Sequence, residues 1–257
     1  YKSMSRQIKK LLVIPTLIGI VLSVVLSCRL FDDRIELEKS GEWRYYSINP
    51  NTILETLAQG DTDVFTLMAA TPEGELSASA AFVRWSQEDY FLIAQTIHEQ
   101  SWGEPLGDNN LYNISFAVNC SNVERETFSN AEFLSYKTIQ TEEDETRIEH
   151  WITIWPAESL VYTVEVKYQP SVNYKKPIEL SRYQITVEEA LQIAEKNGGD
   201  KARLAADNAC QIDAFAPGPD GKGWRVLYQD FPSFENLLFE IAIDPETGEY
   251  EVLYPKP

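Results

Sequence analysis

The stretch Ser86–Gln95 lines up without a gap with Thr186–Glu195, one hundred residues later. Each copy opens with a hydroxyl residue, Ser86 or Thr186, and places an acid three positions on, Asp89 or Glu189. That is a capping box. The hydroxyl accepts a hydrogen bond from a free backbone N–H of the first turn, and the acid reaches back to the cap. Apolar residues follow at helical spacing: Tyr90, Ile93, Ala94 and Ile97 in one copy, Ala190, Ile193 and Ala194 in the other. Asn197-Gly198-Gly199 is a helix stop for the second.

Behind each helix come runs that alternate polar and apolar residues. They are 112–118, 133–139, 151–155 and 161–167 after the first, and 224–228, 238–243 and 249–252 after the second. A period of two with β-branched and aromatic residues marks half-buried antiparallel strands. Turns punctuate them at Pro156-Ala157-Glu158, Pro219-Asp220-Gly221 and Asp244-Pro245-Glu246-Thr247-Gly248. The expected fold is α+β, with two helix-plus-antiparallel-sheet units in two layers, because an apolar helix stripe needs an apolar sheet face. Shorter signals lie upstream: a helix after Asn49-Pro50-Asn51-Thr52, and strands at 64–68 and 78–85.

A signal or anchor segment precedes these units. Lys2, Arg6, Lys9 and Lys10 come before the uncharged run Leu11–Leu26, and Val25-Leu26-Ser27-Cys28 closes it. The layout is that of a secretory signal, and its end resembles the lipobox of bacterial lipoproteins. That resemblance implies cleavage before Cys28 and acylation of its thiol. An uncleaved anchor and a buried core helix are the alternatives. The run of 16 residues, interrupted by Pro15 and Gly19, is short of the roughly 20 that span a bilayer. The expected parts are 1–28 signal peptide, 29–47 tether, 48–170 N-terminal domain, 171–182 linker and 183–257 C-terminal domain. The expected location is the outer face of the cell membrane, held there by the lipid or the anchor.

Charge narrows the partners. The chain carries −18, and loss of residues 1–27, with four basic and no acidic residues, takes it to −22. That excludes nucleic acid, whose phosphates are repelled. It also makes electrostatic binding to anionic lipid unfavourable.

The C-terminal part resembles a PepSY domain, the domain of peptidase propeptides and of secreted or membrane-tethered bacterial proteins. The matching residues are Ile185-Thr186, Glu189-Ala190 and Ile193-Ala194, then Trp224-x-Val226-x-Tyr228. Phe239-x-Ile241-x-Ile243-Asp244-x-x-Thr247-Gly248-x-x-x-Val252 follows as a final hairpin. The resemblance covers about 183–254 and implies binding or restraint of a peptidase or other envelope partner. It implies no catalytic set.

Cys120 and Cys210 are a disulfide pair in an oxidising compartment or two buried thiols. His98-Glu99 lacks the second histidine of a helical zinc site, and His150 opens a strand, so both read as structural. A Cys–His catalytic pair has no local mark of an activated thiol. Asp61 and Asp63, and the run Glu142–Glu145, are calcium candidates without the pattern of a dedicated loop. Glu240, Asp244 and Glu246 invite a glycosidase reading that needs two facing acids. Trp151, Trp155, Tyr162 and Tyr168 form either an aromatic binding face or part of a core. The expected function is a non-catalytic binding or regulatory lipoprotein with no cofactor. A carboxylate-dependent envelope hydrolase and a structural spacer are the alternatives.

Overall fold

Among the described residues ten strands, numbered β1 to β10 along the chain, pair into one sheet in the order β10-β9-β8-β7-β3-β4-β5-β6-β1-β2. A computed structural model describes residues 41–69, 83–125, 127–140, 145–168, 177–217 and 223–255. The strands are β1 Glu42–Ser47, β2 Thr66–Leu67, β3 Leu111–Asn119, β4 Asn130–Gln140 and β5 Glu145–Trp155. Then come β6 Leu160–Tyr168, β7 Cys210–Ala216, β8 Trp224–Asp230, β9 Leu237–Ile243 and β10 Tyr250–Tyr254. Four α-helices accompany them among the described residues: α1 Ile53–Ala58, α2 Gln87–Trp102, α3 Val187–Ala194 and α4 Asp200–Ala205.

This corrects the expectation of two helix-plus-sheet units. β3 and β7 pair antiparallel over six positions, from Ile114–Ala216 to Asn119–Gln211. Trp43–Pro257 is therefore one compact unit. The physical reason is edge protection. Two separate sheets would leave both β3 and β7 with a row of unpaired backbone groups, and joining them removes two edges at once. At the seam Ser115 pairs with Phe215, its counterpart one hundred residues on.

Both capping boxes form. Ser86 Oγ accepts the Asp89 N–H at 3.2 Å, and the Asp89 carboxylate accepts the Ser86 N–H at 2.8 Å. Thr186 and Glu189 repeat the exchange at 3.3 and 2.9 Å. The two helix starts also satisfy each other. The Gln87 N–H donates to Glu188 Oε1, and the Val187 N–H donates to Gln87 Oε1, each at 2.7 Å.

The helices pack on one side of the sheet. Tyr90 of α2 meets Phe116 and Phe128 edge to face. Beyond α3 the chain passes through a π-type turn to Gly199, which lies against the Tyr228 ring of β8. Each such fully buried large side chain contributes roughly 2–3 kcal/mol.

Three further readings change. The tether expected over 29–47 reaches too far, because Glu42–Ser47 is β1. Trp43 and Tyr45 alternate there with Arg44 and Tyr46, which is a strand pattern. Within 171–182, Ile178 is buried and its N–H donates to the Leu111 carbonyl at 2.7 Å, so this end packs on the sheet. Of the strand expected at 78–85, residues 83–85 belong to no strand or helix, and 78–82 lie outside the described residues. Residues 1–40, including Cys28, also lie outside them, and no described helix is long and apolar enough to cross a membrane.

Candidate binding face

Alternation along a strand sends successive side chains to opposite faces. Arg44 Nη1 donates to the Ser101 carbonyl, and Tyr46 Oη lies 3.4 Å from Ser101 Oγ, so both point to α2. Trp43 and Tyr45 then point the other way, to the face on which no described helix packs. There they meet Tyr162 of β6. The three ring centroids are 5.5 to 6.3 Å apart, and Trp43 is 37% exposed. Burial pushes the Tyr162 phenol above its ordinary value.

Two other groups share this face. Tyr112 and Tyr136 lie with centroids 5.2 Å apart. Glu149 accepts from the Tyr112 hydroxyl at 2.6 Å and from Trp151 Nε1 at 3.2 Å. Farther along, Arg225 Nη1 donates to Glu240 Oε1 at 2.9 Å, and Gln211 Nε2 donates to Asp213 Oδ1 at 2.8 Å. Burial pushes Asp213 above the usual carboxylate range, against the Gln211 bond. Arg225 Nε is buried without a hydrogen-bond partner. The face thus combines broad aromatic surface with ordered carboxylates and one buried guanidinium.

The residues singled out from sequence fall as follows. Trp151 and Tyr162 are on this face, and the side chain of Tyr168 lies outside the described set. Cys120 and Cys210 are bonded to each other, with Cα atoms 5.3 Å apart, one step beyond the Asn119–Gln211 pair. As a disulfide, neither offers a thiolate for catalysis.

His98 and His150 come together on the helix side, with ring centroids 5.3 Å apart. His98 Nδ1 meets the Glu104 carbonyl at 2.7 Å and Nε2 meets Ser135 Oγ at 2.8 Å. His150 stacks on Trp102 at 4.0 Å, with Glu165 Oε2 at 3.6 Å from its Nε2. Burial, then the neighbouring His98, lowers His150 to about 4. Ser135 and His98 are buried, and neither lines the cavities of about 270, 490 and 240 Å³ found among the described residues.

Asp61 and Asp63 form an exposed turn in which Asp61 Oδ1 accepts the Asp63 N–H. Among the described residues no group of three or more His, Cys, Asp or Glu is placed to hold a metal, and 142–144 lie outside them. Glu240, Asp244 and Glu246 do not converge. Glu240 pairs with Arg225, Glu246 with Arg182, and Asp244 accepts the N–H groups of Glu246 and Thr247.

Trp43 and Tyr45 were missed by the sequence reading. Their signal was the Trp-Arg-Tyr-Tyr alternation, masked by the charged residues before it. Two grooves were also not foreseen. One of about 240 Å³ is lined on α2 by Glu88, Phe91, Leu92 and Gln95. Another of about 270 Å³ is lined by Glu188, Leu191 and Gln192 of α3 and by Glu195 just past its end, the same positions one hundred residues on.

No family model, no curated protein and no solved structure matches this chain.

Proposed function

We propose that this chain is a non-catalytic extracytoplasmic binding or regulatory lipoprotein, anchored through Cys28, that docks a protein partner on the sheet face where Trp43, Tyr45 and Tyr162 meet. The observation that carries this reading is the Trp43–Tyr45–Tyr162 cluster. Tyrosine and tryptophan give large contact area at low entropic cost and dominate binding energy where they cluster. The ordered carboxylates and the charge of −18 favour a partner that is basic around its contact. The PepSY-like residues of the C-terminal part support a peptidase or another envelope protein as that partner.

The hydrolase reading has one observation in its favour. Asp213 and Glu240 flank Leu227 on one cross-strand row, and burial pushes the first toward its protonated form. Neither acid lines the grooves on α2 and α3.

The test is a pull-down from envelope extract with residues 29–257 as bait, beside a Trp43→Ala/Tyr162→Ala double variant. A defined partner captured by the native bait and lost by about tenfold or more in the variant is the expected result. Equal capture by both baits, or robust turnover of fluorogenic peptides, esters or glycosides, overturns the reading.

A further inference from the structure

The turn between β8 and β9 exposes two phenylalanines. Phe231 and Phe234 are 44% and 43% exposed, with rings 5.5 Å apart at 85°. Nothing about the turn is loose. Asp230 Oδ1 accepts the Asn236 N–H at 2.8 Å, and Oδ2 accepts from Ser233 Oγ at 2.6 Å and Asn236 Nδ2 at 2.7 Å. Its carbonyl accepts the Phe234 N–H, and its own N–H donates to the Asn236 carbonyl. Those side-chain bonds hold the Asp230 carboxyl below the usual carboxylate range, so it stays charged.

Phe234 also has φ +56°, the left-handed region in which a bulky aromatic is an outlier and glycine or asparagine is favoured. A connection that only joined two strands would place a small or polar residue there. Strained backbone is kept where the presented side chain has a use.

The surroundings state what that use is. Asp230 and Glu235 flank the rings, and exposed Asp207 sits on the adjoining turn, where the Ala209 carbonyl accepts the Phe231 N–H. No lysine or arginine occurs in 204–217 or 226–240. Arg203, which donates to Asn208 of the adjoining turn, is buried and paired with Glu195, so the charges that the two turns present, Asp207, Asp230 and Glu235, are all acidic. An apolar knob with acidic neighbours fits an apolar pocket with a basic rim, and it is repelled by anionic lipid. We propose that Phe231 and Phe234 form a docking knob for a polypeptide partner that offers an apolar pocket bordered by lysine or arginine. The turn lies at the strand ends, apart from the aromatic face proposed above, so either surface can fail alone.

The experiment uses the full chain in nanodiscs of neutral phosphatidylcholine. The probes are an amphipathic lysine/leucine peptide and its glutamate/leucine counterpart. The native chain is expected to bind the basic peptide. A Phe231→Ser/Phe234→Gly variant, unchanged in charge, is expected to bind it about tenfold more weakly with no loss of thermal midpoint. A photo-crosslinking phenylalanine analogue at position 231 is expected to label the peptide. Equal binding by native and variant chains, equal binding of the acidic peptide, or labelling of lipid instead of peptide each overturns the proposal.

Discussion

Both histidines of the chain are committed to one buried contact, and that contact sets an acid limit on the fold. The charged groups facing it are Glu104, Lys137, Glu165 and Lys167. His150 titrates near 4 in the folded protein and near 6.5 in the unfolded chain. Above pH 6.5 both states hold it neutral, and its packing against Trp102 is retained. As pH falls from 6.5 towards 4 the unfolded chain takes up a proton that the folded one resists, and stability is lost. The loss by pH 4 is roughly 3 kcal/mol. Urea midpoints measured between pH 7 and 4 should fall across this window, and His150→Gln should flatten the fall. A second residue-scale test concerns Gly199, whose φ any residue tolerates. A Cβ there would lie 2.4 Å from the Tyr228 hydroxyl oxygen, which also donates to Glu195. Gly199→Ala should cost about 3 kcal/mol by calorimetry through overpacking.

At the scale of elements, the two helix starts behave as a coupled pair. Ser86→Ala and Thr186→Ala should each cost about 1 kcal/mol in thermal unfolding, since each leaves a first-turn N–H without its acceptor. Gln87→Ala and Glu188→Ala should not add independently, because each also removes an acceptor from the other helix. These starts were legible because a capping box is local: four consecutive residues contain all of it. The strands β3 to β6, β8 and β9 were legible through alternation for the same reason. β7 was not read as a strand. Of its inward residues only Ile212 is large, and Cys210, Ala214 and Ala216 are too small to stand out against Gln211 and Asp213. The end of the α3 segment was legible at the glycines: the backbone leaves helical geometry at Asn197 and at Gly198, whose φ is +125°. The candidate face was half legible. Trp151 and Tyr162 lie in strongly alternating runs, whereas their meeting with β1 depends on pairing across more than a hundred residues, which no local pattern encodes.

At the scale of the molecule, the seam between β3 and β7 decides whether the two halves unfold together. Six backbone pairs cross it, Phe116 and Trp224 face each other across it at 6.4 Å, and the Cys120–Cys210 bond closes its end. The bond joins residues 90 apart, so in the unfolded chain it removes loop entropy worth about 4.5 kcal/mol. Both cysteines are buried, so a reductant acts only on a chain that has opened there. A Cys120→Ser/Cys210→Ser variant should therefore melt about 10–15 °C lower, taking 2–4 °C per kcal/mol for a chain of this size. It should still melt in one step, because the strand pairs and the aromatic contact remain. Independent halves would behave otherwise: the bond would tie together two units that each fold alone, and its removal would split the calorimetric peak in two. A single peak in both proteins, with seam amides from Ile114 to Asn119 as slow to exchange as those of β4, is the outcome that one continuous sheet requires.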